Sequence, residues 1–178
     1  MFNVISIMTG TGFVHGDFET WGAFVQPLFL CLMFVGGCAG STTCAIKIFR
    51  FQVLFAAAQA QLRRLARPHR VAPARYAGKP LTAETINSVM AFFFLYIVCF
   101  ILLAMAISLT GVSGITAISG AATAISNVGP GLGPEIGPAG NFAGLPDAAK
   151  WLLSLGMLAG RLELFTVLIL LMPRFWRN

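Results

Sequence analysis

The chain has 178 residues, is 57% hydrophobic and only 10% charged, and has a mean hydropathy of +0.83. Soluble domains carry about 25% charged residues, so this composition excludes an ordinary soluble domain and indicates an integral membrane protein. The net charge of +6 does not point to nucleic acid. Lys47, Arg50, Arg63, Arg64, Arg67, Arg70, Arg75 and Lys79 lie together between two apolar segments, without the interleaved aromatics of an RNA-binding module; by the positive-inside rule they place residues 47–80 in the cytoplasm.

Residues 2–8 are apolar but too short to span, and they lead directly into Thr9, Gly10, Thr11, Gly12 and Phe13, a Gly-punctuated extended stretch. No basic n-region or small-residue cleavage site marks a signal peptide. A first span is expected from Trp21. It stays apolar through Val35 and breaks at Gly36, Gly37, Cys38, Ala39, Gly40, Ser41, Thr42 and Thr43. A crossing helix needs about twenty residues, so the break falls inside the membrane. Two readings are open there: an unwound loop whose carbonyls face a cavity, or a close helix contact through the G-x-x-x-G pair Gly36 and Gly40. Residues 46–65 resume as a basic helix, and Pro68 and Pro73 punctuate a linker reaching Pro80. A second span covers residues 86–109, with Thr82 near its cap and Glu84 in its first turn.

Residues 120–133 carry the strongest signal. Gly129, Gly131 and Gly133 alternate with Pro130, Leu132 and Pro134, which leaves backbone with few amide partners and dihedrals that Gly alone takes cheaply. Between apolar helices such backbone is tolerated only inside protein or along a water-filled path. A re-entrant pore segment fits: residues 115–125 descend as a short helix, and an extended strand from Ser126 returns with its carbonyls exposed to replace the hydration shell of a cation. The alternative is a Gly/Pro-rich external loop. The stretch repeats, weakly, the order of residues at Thr9 to Phe13. Both stretches face outside, with Asp17, Glu19, Glu135 and Asp147. A third span is expected over residues 151–172, where Arg161 and Glu163 cost about 2.5–3.5 kcal/mol each unless they face protein or water.

Cys31, Cys38, Cys44 and Cys99 form no CxxC pair and are expected as small buried hydrophobes. His15 and His69 lie outside the spans and are expected to be solvated. No Ser/His or paired-Asp constellation lies within the spans, which argues against an enzyme.

Helix, re-entrant segment, helix is the unit of potassium-channel pores, and the expected fold is an all-α membrane protein holding about one and a half of four such units. Residues 1–80 are the end of a third unit, with its filter strand, interrupted inner helix and basic linker. Residues 81–178 are a complete fourth unit, with outer helix, pore helix, filter and inner helix. The motifs at residues 9–13, 36–42, 126–133 and 160–163, with Ile46, Lys47 and Arg50, resemble the C-terminal part of the TrkH/KtrB superfamily of potassium uptake proteins. Gly10 departs from the usual Thr-Thr-Thr-Gly-Phe of the third filter, a departure that bears on the rigidity of this strand.

The resemblance implies potassium as transported substrate and no covalently bound cofactor. It implies a selectivity filter at Thr9, Gly10, Thr11, Gly12, Asn127, Val128 and Gly129, with potassium held by backbone carbonyls. It further implies a gate at Gly36, Gly37, Gly40, Ser41, Thr42 and Arg161. The implied partners are the remaining pore units, a second copy of the full-length protein in a homodimer, and a cytosolic nucleotide-binding regulatory subunit of the TrkA type. The implied location is the bacterial inner membrane, multi-pass, with the filter side periplasmic. Against this stand an inactive gene fragment or non-transporting scaffold and, with less support, a secondary transporter with broken helices.

Overall fold

The computed structural model describes residues 1–38, 44–67, 74–76, 78–162, 166, 167 and 169. Among the described residues six α-helices carry the fold: α1 (Phe2–Met8), α2 (Val25–Phe34), α3 (Ile48–Ala66), α4 (Ala83–Ser108), α5 (Gly114–Ser126) and α6 (Asp147–Arg161). A small antiparallel hairpin, β1 (Arg75–Tyr76) with β2 (Lys79–Pro80), joins α3 to α4. The sequence gives no clear period-2 signal for so short a pair.

Helix α4 has 26 residues, about 39 Å at 1.5 Å per residue. Among the described residues it is the helix long and apolar enough to cross a membrane. Its start follows from Thr82, whose side chain accepts from the Thr85 amide, and from Glu84 in the first turn, which complements the helix dipole. Phe94, Ile97, Ile101, Leu102 and Met105 are exposed along its outer face. Its inner face turns Val89, Phe92 and Tyr96 into the protein.

Helix α5 is the centre. It starts at the Ser113 cap, whose side chain accepts from the Thr116 amide, and every residue from Thr116 to Ser126 is buried except Ile118. Small residues make this possible: Ala117, Ala121, Ala122 and Ala124 let α2, α4 and α6 pack around it. One core joins Ile7, Phe18, Phe29 and Met33 of the first half to Ala122, Val128 and Leu132 of the second. Another joins Ile107 of α4 and Ala117, Ala121 and Ala124 of α5 to Ala149 and Leu153 of α6.

Three expectations need correction. Trp21 is not in the first spanning helix: it ends a 3-10 turn (Phe18–Trp21), Gly22 follows at φ +122, and α2 starts at Val25. Apolar composition alone does not distinguish such a turn from a helix. Cys31 and Cys38 are exposed, not buried. The filter strand does not begin at Ser126, since α5 runs through that residue and ends on Asn127 in the left-handed conformation. Glu163, residues 164, 165, 168 and 170–172 of the third span, Gly40, Ser41, Thr42 and His69 lie outside the described residues.

Candidate functional site

The two glycine stretches meet. A Cβ built on Gly12 would fall on the Val128 carbonyl oxygen, and one on Gly129 would lie 3.4 Å from the Gly12 Cα. Gly12 has φ +77 and Gly129 φ +118, so both are in the region that favours Gly. The strand following α1 and the strand following α5 are therefore in backbone contact at these two residues.

At one constant offset the two strands share their dihedral and hydrogen-bond plan. Gly10 and Asn127 are both left-handed, at φ +68 and +52. The Gly10 amide donates to the Ile7 carbonyl (3.1 Å) as Asn127 does to Ala124 (3.2 Å), and Thr11 donates to Ser6 as Val128 does to Thr123, each at 3.0 Å. Further on, each strand has one residue whose amide and carbonyl are both held by a side chain of the preceding helix. Asn3 accepts from the His15 amide (2.8 Å) and donates to the His15 carbonyl (3.0 Å). Ser119 does the same for Leu132, both bonds at 3.0 Å. Gly10 thus occupies the position where a β-branched residue would be a backbone outlier.

The second strand has further support. Thr123 Oγ1 accepts from the Gly129 amide at 2.9 Å. The side-chain amide of Asn127 donates to the Met157 carbonyl of α6 at 3.0 Å. Tyr96 of α4 and Ser126 share a buried hydrogen bond of 2.7 Å at the base of α5. Gly156 and Gly160 let α6 approach this base: a Cβ at 160 would collide with the Ile125 carbonyl, and one at 156 with Leu103. In the first strand, Thr9 and Thr11 use their hydroxyls on each other (2.7 Å), and Thr9 also donates to the Ile5 carbonyl.

Below α2 the chain leaves the helix at Val35 and returns to the same place. Val35 and Ile46 form a parallel bridge, the Gly36 amide donates to the Ile46 carbonyl (2.9 Å), and Ile46 donates to the Phe34 carbonyl (3.1 Å). Gly36 is buried against the Cys44 carbonyl, with no room for a Cβ. It lies outside any helix, so the helix-contact reading does not hold for Gly36, and these bonds join the described residues on either side of the break. Arg161, the last residue of α6, donates to Cys44 Sγ at 3.2 Å and so touches the returning limb.

Residues 1–177 match the family described as TrkH, cation transport protein. The chain belongs to the TrkH family. It is 54% identical over 177 residues to the Trk system potassium uptake protein TrkI of Halomonas elongata and 39% identical to TrkH of Escherichia coli K12. In each case 99% of this chain is covered and 36% of the relative. The crystal structure of the potassium transporter TrkH from Vibrio parahaemolyticus superposes with a TM-score of 0.86 at 38% identity, covering 96% of this chain and 36% of that one. The chain therefore spans about a third of the length of these TrkH-family relatives.

Within the family frame, the residues expected at the filter divide clearly. Gly12, Val128 and Gly129 are in mutual contact, and Gly10 and Asn127 set the left-handed turn before them. Of the residues expected at the gate, Gly36 and Gly37 lie on the leaving limb, where the Gly37 carbonyl accepts from Ile48 at 3.3 Å, and Arg161 is beside Cys44. The positioning residues Asn3, Ser119, Thr123 and Tyr96 are not singled out by the sequence, because a lone hydroxyl or amide on an apolar helix carries no local pattern. Gly156 and Gly160 do carry one, a G-x-x-x-G spacing on α6.

Proposed function

We propose that this chain supplies about one and a half of the four pore units of a Trk-type potassium uptake protein, the end of the third and the whole of the fourth. The observation that carries the reading is the backbone contact of Gly12 with Val128 and Gly129, between two strands of the same hydrogen-bond plan. Potassium, the cargo, sheds water between such strands. Carbonyls of Gly10, Thr11, Asn127 and Val128 replace that water, with Thr9, Gly12 and Gly129 completing the strands. No bond is made or broken, so the work is transport and not catalysis, and no covalently bound cofactor is required.

The loop begun by Gly36 and Gly37 and carrying Gly40, Ser41 and Thr42 acts as the gate, with Arg161 holding its returning limb through Cys44. The exposed apolar face of α4 supports an inner-membrane location. The basic residues of α3, Arg50, Arg63 and Arg64, support a cytoplasmic place for that helix, and the glycine strands are then periplasmic. The remaining pore units, a homodimer of the full-length protein and a cytosolic nucleotide-binding subunit of the TrkA type complete the system.

The test is a chimera in which this segment replaces the matching 36% of Halomonas elongata TrkI. Expressed in cells without potassium uptake, it is expected to restore growth at low potassium. A chimera that reaches the membrane in normal amount and takes up no potassium overturns the reading.

A further inference from the structure

Glu19 spans the gap between the two units. It lies in the 3-10 turn Phe18–Trp21, which Asp17 caps by accepting from the Glu19 amide at 2.9 Å. Phe18, fully buried and stacked on Phe29 at 4.2 Å, fixes that turn on α2. From this anchored position Glu19 Oε1 accepts from the Gly133 amide at 2.6 Å, across 114 residues of chain, and Gln26 Nε2 donates to the same oxygen at 3.4 Å. Oε2 lies against Gly137, where a built Cβ would be 3.2 Å away. Gly133 itself has φ +94, and its carbonyl accepts from the Gly137 amide at 2.9 Å.

The consequence is mechanical. Leu132 is held to α5 through Ser119, and the amide of the next residue, Gly133, is held to the other unit through Glu19. The return of the second strand is thus tied at adjacent residues to its own pore helix and to its neighbour. A carboxylate accepting from a backbone amide is shorter and stronger than a neutral pair, which suits a tie between separate elements.

We propose that Glu19 is a positioning residue for ion selection: its bond to Gly133 fixes the separation of the two strands and with it the preference for potassium over sodium. The inference rests on the transport reading above. In the TrkI chimera, potassium uptake is measured with and without competing sodium, giving a ratio independent of the amount of folded protein. Glu19→Gln keeps an acceptor for the Gly133 amide and is expected to stay within about twofold of the parent, whereas Glu19→Met, of similar length without that acceptor, is expected to lose about tenfold in selectivity.

Unchanged selectivity in Glu19→Met overturns the proposal. So does an equal loss in Glu19→Gln and Glu19→Met, which would assign the effect to charge and not to the bond. If Glu19→Met and Glu19→Ala both fail to accumulate in the membrane while Glu19→Gln accumulates normally, the bond serves folding and the proposal falls. An inactive parent chimera, by contrast, tells against the transport reading itself.

Discussion

The two glycine strands follow one backbone plan and are built with different support. After α5 the strand is held by Thr123, Ser119, Asn127 and, from the 3-10 turn Phe18–Trp21, Glu19. After α1 it is held by Asn3, while Ser6, at the offset matching Thr123, is buried with its hydroxyl unpartnered among the described residues. The Gly12 amide reaches only the Ser6 carbonyl, at 3.4 Å. A common dihedral path thus does not require common side chains. What both strands need is a left-handed residue, a Gly in the contact, and one side chain that holds both polar groups of a later peptide.

The hardest way to break the comparison is to ask whether two strands suffice. A filter encloses its ion on all sides, and the described residues offer the strands at residues 9–13 and 127–133. Polar backbone that protein does not enclose is unfavourable in lipid. Residues 1–178 expressed alone are expected to give no growth at low potassium in cells lacking uptake, against full rescue by the chimera. Rescue by the chain alone would show that copies of it complete a pore by themselves.

The next largest effect separates the two glycines. Gly12→Ala meets the Val128 carbonyl as well as a left-handed backbone, so the contact must open. Gly129→Ala meets the Gly12 Cα at 3.4 Å and the Gly12 carbonyl oxygen at 3.9 Å, both ordinary contacts, and carries chiefly the dihedral cost, about 1–3 kcal/mol. In the chimera, potassium uptake is expected to fall at least tenfold more in Gly12→Ala than in Gly129→Ala. Gly129→Ser is expected to admit sodium while retaining potassium uptake. Equal losses for the two alanine variants would mean that the contact is not what limits transport.

How much of this was legible differs by the kind of signal. The Thr82 cap, the length of α4 and the position of α5 follow from local pattern, and Gly12 and Gly129 stand out because no other residue adopts those dihedrals cheaply. The break after Val35 was legible as small residues, but its form was not. The return that pairs Ile46 with Val35 joins residues eleven apart in a parallel bridge, which no helical or hairpin period announces. Glu19 with Gly133, Asn127 with Met157 and Tyr96 with Ser126 were hidden because partners thirty or more residues apart leave no spacing to read. Trp21 misled because its aromatic bulk continues the apolar run while Gly22 interrupts the helix.

A smaller effect, several-fold in rate, is expected at the break after α2. Deleting residues 38–42 from the chimera shortens a stretch whose described flanks are joined at Gly36 and Ile46. The helices on either side can therefore keep their places. Ion flux into proteoliposomes is expected to rise about three- to tenfold with the potassium-to-sodium ratio unchanged, as removal of a plug predicts. Loss of folded protein on detergent chromatography would instead make the segment part of the packing.

The finest test concerns one of the supports the two strands do not share. Thr123→Val conserves shape, removes the acceptor of the Gly129 amide and leaves that donor unpaired, a change that costs about 1–3 kcal/mol where the group is screened from water. Ser6→Ala removes a buried hydroxyl that bonds nothing among the described residues, so it relieves a desolvation cost and sacrifices no bond. Thermal unfolding of the purified chimera in detergent is expected to move down by several degrees for Thr123→Val and to stay level or move slightly up for Ser6→Ala. The sodium-to-potassium ratio should follow Thr123 alone. If Ser6→Ala lowers stability as much as Thr123→Val does, Ser6 has a partner in the assembled pore. The first strand is then supported by a neighbouring unit, as the second is by Glu19.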